Sequence, residues 1–287
     1  MIESQKSPPD FSDIVLREHY LNLMKMTLSH SLWKEQTRPI DPRRSPHNLM
    51  RFAAGAMVAL LKPLKLKLVL DVPVAKEDKD EGKVWPEFAH TMIGLKRLQS
   101  IKERAETVIA DKVPGDFIET GVWRGGASIF MRSILLAHGV QDRTVWVADS
   151  FQGLPPPDAE KYPADKGADW HKPEFLAIPL EQVQENFAKY NLLDDQVRFL
   201  KGWFKDTLPK APMEKLAIIR LDGDMYESTM DAIVALYPKL AVGGFVIVDD
   251  YGAVEACKQA ITDFRVKNGI EDPLHQTDWA EVYWRKS

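Results

Sequence analysis

Residues 216–224 read LAIIRLDGD, a short apolar run that ends in the two aspartates Asp222 and Asp224. A second run of this kind, GFVIVDD at residues 244–250, ends in Asp249 and Asp250. Short runs rich in Ile and Val, separated by a helical segment, are typical of neighbouring parallel strands in an α/β sheet. Because ligands of such sheets bind at the carboxyl ends of the strands, we predict that both acidic clusters meet at one edge.

Four carboxylates at one edge of a sheet repel one another unless a cation lies among them. Carboxylate oxygens are the ligands of hard cations, so the clusters predict a Mg²⁺ site. The alternative is that the aspartates cap the helices that follow them, because Asp is favoured at N-caps. The seven histidines show no H-x-x-x-H spacing, which argues against zinc.

Strand and helix patterns alternate from Asp116 onward, which predicts a doubly wound, Rossmann-like α/β sheet. We expect a helical N-terminal extension or lid at residues 1–110 and the main domain at residues 111–287. The predicted strands are residues 116–119, 144–149, 197–200, 216–221, 244–248 and 280–285. The predicted helices are residues 11–35, 92–109, 127–138, 180–191, 228–240 and 254–268.

Three segments outside these elements call for an interpretation. Residues 52–72 are apolar but interrupted by lysines and a proline, so they predict no membrane span. We expect them to pack on the core or on a second subunit and so to help form a homo-oligomer, with a surface-seeking amphipathic segment as the alternative. Residues 75–84 are dense in charge and predict a solvated loop, although a lid would have the same composition. The proline-rich residues 152–179 are long enough to predict a loop that covers a site.

The composition sets the broad class of the protein. The 287 residues are 45% hydrophobic and 28% charged, as in ordinary globular proteins. A net charge of −4 gives no reason to expect nucleic acid as a partner. Cys257 is the only cysteine, so no disulfide can form within the chain. Together with a polar start that lacks a signal-peptide core, this predicts a cytoplasmic protein.

A glycine-rich turn follows the first predicted strand, in the sequence ETGVWRGGAS at residues 119–128. Glycines allow the backbone to approach a ligand at the start of a helix, whose N-terminus attracts negative charge. The second strand ends in Asp149 and Ser150, where nucleoside-binding sheets hold ribose hydroxyls. These features predict a nucleoside pocket. The turn differs from the G-x-G-x-x-G fingerprint, which disfavours an NAD enzyme.

Several motifs resemble the macrocin O-methyltransferase family, from about Tyr20 to the end of the chain. They are ETGVWRGG at 119–126, DSFQGLP at 149–155, LDGDMYES at 221–228 and VDDY at 248–251. Shorter matches are AHTMIG at 89–94, GWF at 202–204 and DWAEVYWR at 278–285. The resemblance implies a class I methyltransferase sheet that uses S-adenosylmethionine and Mg²⁺ to methylate a sugar hydroxyl, such as that of a deoxysugar, on a glycosylated natural product.

The resemblance also implies roles for individual residues. Asp222, Asp249 and Asp250 would hold the metal, and Asp224 would be the general base. Alternatives remain for three of the cofactor residues: Gly121 as a turn residue, Trp203 as core packing and Glu119 as a structural anchor. The implied cofactor-binding residues are Glu119, Thr120, Gly121, Ser128, Asp149, Ser150, Trp203 and Asp222.

The chemistry of the acceptor bears on the metal. A sugar hydroxyl has a pKa of roughly 15–16, like water, whereas a bound metal can bring that of water to about 7. The difference corresponds to about 11 kcal/mol, more than a carboxylate base alone supplies. A catechol or phenol O-methyltransferase is the alternative, since a phenol ionises far more readily. A non-catalytic nucleoside-binding module is a third reading, which the presence of all four aspartates disfavours.

Overall fold

The computed structural model describes residues 10–33, 37–40, 48–71 and 75–287. The polar start of the chain, on which the expectation of a cytoplasmic protein partly depends, lies almost entirely outside these residues. No helix in the described ranges is both long and apolar enough to cross a membrane.

The described residues form two sheets. Strands β1 (Thr37–Pro39) and β2 (Val69–Asp71) pair as a small antiparallel ribbon. The main sheet has the order β5-β4-β3-β6-β7-β9-β8, in which β3 to β7 are parallel and β9 is antiparallel to both β7 and β8. This confirms the doubly wound, Rossmann-like fold. The strands of the main sheet are β3 (Asp116–Thr120), β4 (Val145–Asp149), β5 (Val197–Lys201), β6 (Leu216–Leu221), β7 (Leu240–Val248), β8 (His275–Gln276) and β9 (Val282–Arg285).

All six predicted strands are present, and three further strands, β1, β2 and β8, were not predicted. Strand β7 begins at Leu240 rather than at residue 244, because the pairing with β6 continues through a register shift. Strand β8 was not predicted, since a two-residue edge strand carries almost no periodic signal.

The six predicted helices are present among the described residues, and the largest difference in their bounds is near the N-terminus. The short helix at Phe204–Thr207 was not predicted. The predicted helix at 11–35 ends at Leu28, because His30 adopts a left-handed conformation and Ser31 N–H donates to the carbonyl of Met26 at 2.7 Å. The loop predicted at 75–84 contains the short helix α3. The helices are α1 (Asp10–Leu28), α2 (Asn48–Leu61), α3 (Lys76–Asp80), α4 (Leu95–Ala110), α5 (Gly126–Ala137), α6 (Leu180–Lys189), α7 (Phe204–Thr207), α8 (Tyr226–Leu236) and α9 (Glu255–Lys267).

Apolar side chains cover both faces of the main sheet. Helices α4, α5 and α6 bury residues such as Ile101, Phe130 and Phe187 on one face. On the same face α1 buries Leu21 and Leu28, so this helix is part of the core. The other face is covered by α8 and α9. Both faces of a parallel sheet must be covered in this way, which explains why the central strands β6 and β7 are mostly apolar.

Helix α2 buries none of its residues, which among the described helices it shares only with the short helices α3 and α7. The described part of residues 52–72 therefore does not pack on the core of the same chain, and packing on a second subunit stays a prediction. An apolar helix this short has little stability without a partner surface.

The order of the strands along the chain changes direction at one point of the sheet. From β3 the chain proceeds to β4 and β5 on one side and then crosses to β6 on the other side of β3. The boundary between β3 and β6 is thus a topological switch point, where open α/β sheets bind their ligands. The glycine-rich turn follows β3, and Asp222 follows β6.

Candidate active site

The sheet register brings the two acidic clusters together. Asp222 N–H donates to the carbonyl of Thr120 and Asp249 N–H to that of Leu221, both at 2.9 Å. The parallel ladder therefore continues one residue beyond each strand. Asp222 and Asp249 lie side by side at the carboxyl edge, as the sequence predicted.

Three carboxylates form a compact cluster at this edge. One carboxylate oxygen from each of Asp222, Asp249 and Asp250 lies within 4.8 Å of the others. Asp249 and Asp250 are buried, and the side chain of Asp222 is 28% exposed. All the donors are carboxylate oxygens, which suits a hard cation such as Mg²⁺ and not a soft one.

Two buried arginines orient these carboxylates. Arg220, on β6, is fully buried, and its Nη1 donates at 2.6 Å to both Glu119 and Asp222. Its Nη2 donates to Asp249. Arg97, on α4, donates to the other oxygen of Asp249 at 2.7 Å. The guanidinium of Arg220 thus connects Glu119, a predicted cofactor residue, to two predicted metal ligands.

Two guanidinium groups do not balance the negative charge of the site. Burial, and then repulsion by Asp249, raise the pKa of Asp222 to about 6, although Arg220 opposes the shift. Burial and the neighbouring carboxylates raise the pKa of Asp224 to about 7 and that of Asp250 well above its usual value. Burial also raises the pKa of Glu119 to about 7. Such a cluster either retains protons or binds a cation, and a divalent ion would relieve the repulsion.

Asp224 occupies a strained turn. Its φ of 56° lies in the left-handed region, which is costly for a residue other than glycine. The chain is therefore not extended at Asp224, whereas a continuation of strand β6 would be extended there. Asp224 nevertheless lines the same cavity, and its N–H donates to Asp250 Oδ2 at 3.2 Å. Backbone strain at one residue of a site is typical of functional positions.

The glycine-rich turn after β3 packs tightly against the turn after β6. Gly121 has a φ of 86°, and a Cβ on it would lie 1.7 Å from the carbonyl oxygen of Asp222. Only glycine fits at this position. The reading of Gly121 as a turn residue and its reading as a cofactor residue are compatible, because Gly121 also lines the cavity.

Asp149 fixes the second half of the turn. Its two carboxylate oxygens accept hydrogen bonds from the N–H groups of Val122 at 2.8 Å and Phe151 at 2.7 Å. Burial raises the pKa of Asp149. Ser150 Oγ donates to the carbonyl of Gly153 at 2.6 Å. Asp149 therefore holds the ends of β3 and β4 together at the place where a nucleoside would bind.

The predicted cofactor residues divide into two groups. Thr120 and Ser128 are buried and are not among the described residues that line the cavity. Ser128 Oγ donates to Glu119, and Thr120 Oγ1 lies 3.4 Å from the carbonyl of Arg220. The remaining six line the cavity, and they are Glu119, Gly121, Asp149, Ser150, Trp203 and Asp222.

The cavity has a volume of about 690 Å³ and extends from the glycine-rich turn past the acidic cluster. Its outer part is bounded by aromatic side chains: Trp85, Trp123, Trp170, Phe175 and Trp279. Residues 82–97 and the long loop (residues 152–179) supply much of this outer wall. The cations among the described lining residues are Arg97 and Lys205, against nine acidic side chains.

Sequence reasoning did not identify the two arginines of the site. Arg220 carried a signal, because it is a charged residue in the middle of an apolar strand. Arg97 lies within a predicted helix and is buried there. Its role depends on which loop ends face that helix in three dimensions, which one-dimensional periodicity does not encode.

A comparison with protein families matches residues 17–286 to the model described as Macrocin-O-methyltransferase (TylF). The chain belongs to this family. It is therefore an O-methyltransferase, and the resemblance seen in the motifs is confirmed.

Two relatives illustrate the range of the family. The chain is 58% identical over 205 residues to the 8-demethyl-8-(2,3-dimethoxy-alpha-L-rhamnosyl)-tetracenomycin-C 4'-O-methyltransferase of Streptomyces olivaceus, covering 71% of this chain and 78% of the relative. It is 44% identical over 273 residues to the mycinamicin III 3''-O-methyltransferase of Micromonospora griseorubida, covering 94% and 97%.

A solved structure supports the fold. The O-methyltransferase NovP superimposes with a TM-score of 0.80 at 46% identity, covering 94% of this chain and 99% of that chain. The seven-stranded sheet is thus that of a class I methyltransferase, as predicted.

Proposed function

We propose that this O-methyltransferase transfers the methyl group of S-adenosylmethionine to a sugar hydroxyl of a glycosylated natural product, with Mg²⁺ bound by Asp222, Asp249 and Asp250. The observation that carries the proposal is the convergence of these carboxylates with Asp224 in one cavity that begins at the glycine-rich turn. The relatives support the acceptor class, because the name of the Streptomyces olivaceus enzyme includes a rhamnosyl group.

The residues around the glycine-rich turn would bind the cofactor. Gly121 allows the backbone to approach the ligand, and Asp149 and Ser150 lie at the end of β4, where ribose hydroxyls would be held. Glu119 and Trp203 line the same part of the cavity. Thr120 and Ser128 would act indirectly, by positioning Arg220 and Glu119.

Methyl transfer from a sulfonium is an in-line displacement in which a C–O bond forms as a C–S bond breaks. The protein must hold the acceptor oxygen about 3–3.5 Å from the methyl carbon and remove its proton. Asp224, which lines the same cavity as the three proposed ligands, would accept that proton, and burial favours it as a base by raising its pKa. A bound divalent cation would lower the pKa of the acceptor hydroxyl.

The charge of the cavity favours a glycosylated acceptor over a nucleotide-activated sugar. A diphosphate carries two or more negative charges and would need cations along the outer wall. Of the two lining cations, Arg97 already donates to Asp249 and Asp278, and Lys205 lies 4.0 Å from Glu227. The aromatic outer wall instead suits an apolar aglycone.

Release of S-adenosylhomocysteine from S-adenosylmethionine tests the proposal. Suitable acceptors are a rhamnosylated polyketide, its aglycone, a nucleotide-activated rhamnose and catechol, each with Mg²⁺ and with EDTA. We expect turnover only with the glycoside and only with the metal. Faster turnover of catechol would favour the phenol alternative, and undiminished turnover in EDTA would contradict the metal.

The N-terminal extension has two proposed roles. Residues 82–97 line the cavity, which supports a role for residues 1–110 as a cover over the acceptor. Helix α2 supports self-association, because Leu49, Phe52 and Leu60 are 82%, 77% and 72% exposed. Their spacing places them on one helical face, and a second copy of the chain would bury it.

A further inference from the structure

The long loop is attached to the active site at three points. At its start, Ser150 Oγ donates to the carbonyl of Gly153 at 2.6 Å. Near its end, the carbonyl of Phe175 accepts a hydrogen bond from Trp123 Nε1 at 2.8 Å. The middle attachment is made by Asp165, which belongs to none of the motifs that identify the family.

Asp165 caps helix α8 from outside that helix. The carboxylate is 1% exposed, and its oxygens accept hydrogen bonds from the N–H groups of Tyr226 at 2.7 Å and Glu227 at 3.0 Å. The residue at the N-cap position itself, Met225, makes no side-chain cap. Free N–H groups in the first turn and the positive end of the helix dipole favour a carboxylate here. The loop therefore supplies the cap that the local sequence lacks.

The two capped residues, Tyr226 and Glu227, directly follow the turn that contains Asp224. Asp224 has a φ of 56° and is two residues before Tyr226. Met225 N–H donates to the carbonyl of Gly223 at 2.5 Å, so the turn between Asp222 and α8 is tight. A residue in the left-handed region keeps that conformation only when its surroundings hold it there. The cap at Tyr226 and Glu227 fixes the end of the turn on the helix side, and Asp250 fixes Asp224 on the other side.

We propose that Asp165 is a positioning residue. It holds the proposed base, Asp224, at a fixed position relative to the long loop (residues 152–179), which would contact the acceptor. The proposal rests on the proposed function. Residues on both sides of Asp165 line the cavity, among them Asp158 and Trp170. A ring contact of 5.8 Å between Tyr162 and Tyr226 adds a second link between the loop and α8. The Asp165 carboxylate therefore links the loop that would contact the acceptor to the turn that contains Asp224.

Steady-state kinetics of D165A and D165N test this role, with D169N as the control. Asp169 belongs to the same loop, but its side chain is 67% exposed and pairs with the exposed Lys172 at 3.6 Å. In D165A we expect kcat/KM for the acceptor to fall at least about fivefold, the factor that corresponds to one typical lost cap. The loss should be shared between a lower kcat and a higher acceptor KM, with the Kd of S-adenosylmethionine unchanged. D165N keeps one acceptor oxygen and should fall between wild type and D165A, while D169N should match wild type.

Amide hydrogen exchange, measured without cofactor or acceptor, separates this proposal from the proposed function. In D165A the amides of Tyr226 and Glu227 and the peptides covering residues 152–179 should exchange faster, and those of β3 to β5 should not. Unchanged exchange in the loop, or a D165A enzyme that is less heat-stable yet has wild-type kcat and acceptor KM when folded, would overturn the proposal. A wild-type enzyme that methylates no glycoside would overturn the proposed function instead, and the exchange result would still decide whether Asp165 holds the loop on α8.

Discussion

At the residue scale, Gly121 shows how closely the turn after β3 approaches the turn after β6. The carbonyl of Asp222 occupies the space that a side chain at position 121 would need. Any substitution must therefore separate the turn after β3 from the turn after β6. The motif indicated a glycine-rich turn, but the contact with Asp222 depends on the β3–β6 pairing and could not be predicted from the sequence.

Gly121→Ala is expected to lower the free energy of unfolding by several kcal/mol, more than the roughly 1–2 kcal/mol cost of a left-handed alanine, and to weaken S-adenosylmethionine binding. Gly139→Ala is the matched control, because Gly139 also has a positive φ of 64° but no atom lies within 4 Å of the place that a Cβ would occupy. Urea unfolding and calorimetric titration measure both effects. Equal losses in the two variants would contradict the close approach.

Arg220 connects Glu119, a proposed cofactor residue, to Asp222 and Asp249, two proposed metal ligands. Arg220→Lys keeps the charge but loses the fork that reaches Glu119, Asp222 and Asp249 together. We expect weaker binding of both Mg²⁺ and S-adenosylmethionine, each by about tenfold or more.

Arg132→Lys is the control for this variant. Arg132 is a buried arginine that donates at 3.0 Å to Asp194, away from the cavity lining. Titrations of each ligand should show normal affinities for Arg132→Lys. If Arg220→Lys weakens only one ligand, the guanidinium does not couple the two sides.

At the element scale, His90 connects three helices. Its N–H donates to the carbonyl of Leu28 at the end of α1, and its own carbonyl accepts from Gly126 at the start of α5. Its ring Nδ1 lies 2.7 Å from the hydroxyl of Tyr190, which follows α6. His90 belongs to the AHTMIG motif at residues 89–94. The structure shows a half-buried histidine that joins elements.

The pKa of His90 makes the free energy of unfolding depend on pH. Burial, and then the positive charges of Lys189, Arg124 and His30, lower this pKa from 6.5 to about 4. The unfolded chain therefore binds a proton at a higher pH than the folded one does. The free energy of unfolding should fall as pH decreases from about 6.5 to about 4.

His90→Gln should remove this part of the acid sensitivity. The variant is expected to be less stable than wild type near pH 7, where the packing of the ring is lost. The difference between the two proteins should shrink as pH decreases through the same window. Urea unfolding at a series of pH values measures it, and a difference that stays constant would show that His90 does not titrate as stated.

At the scale of the whole molecule, the sheet was predictable and the walls of the cavity were not. The alternation of apolar runs and amphipathic helices indicated the strand positions, because a doubly wound sheet imposes that pattern on the chain. The four aspartates were found for the same reason, since strand ends are visible in the sequence. Arg97, Asp165 and the aromatic outer wall come from segments without periodicity, whose positions depend on tertiary packing.

The exposed face of α2 predicts the assembly state. Phe52→Glu combined with Leu60→Glu should convert a dimeric or larger wild-type protein into a monomer, because two charges would have to be buried at the interface. Val266→Glu is the control, as Val266 is 78% exposed on α9. Sedimentation velocity gives the mass of each. A wild-type monomer, or an unchanged mass in the double variant, would contradict self-association through α2.

The central claim is that Asp224 removes the proton while Asp222, Asp249 and Asp250 hold the metal. Single-turnover methyl transfer by Asp224→Asn, measured over a range of Mg²⁺ concentrations, tests it most directly. The variant is expected to bind S-adenosylmethionine and Mg²⁺ like wild type and to lose about 10²–10⁴-fold in rate, with no recovery at high Mg²⁺. Asp222→Asn, in contrast, should recover in part as Mg²⁺ is raised. If excess Mg²⁺ restores Asp224→Asn to near the wild-type rate, Asp224 serves the metal and is not the base.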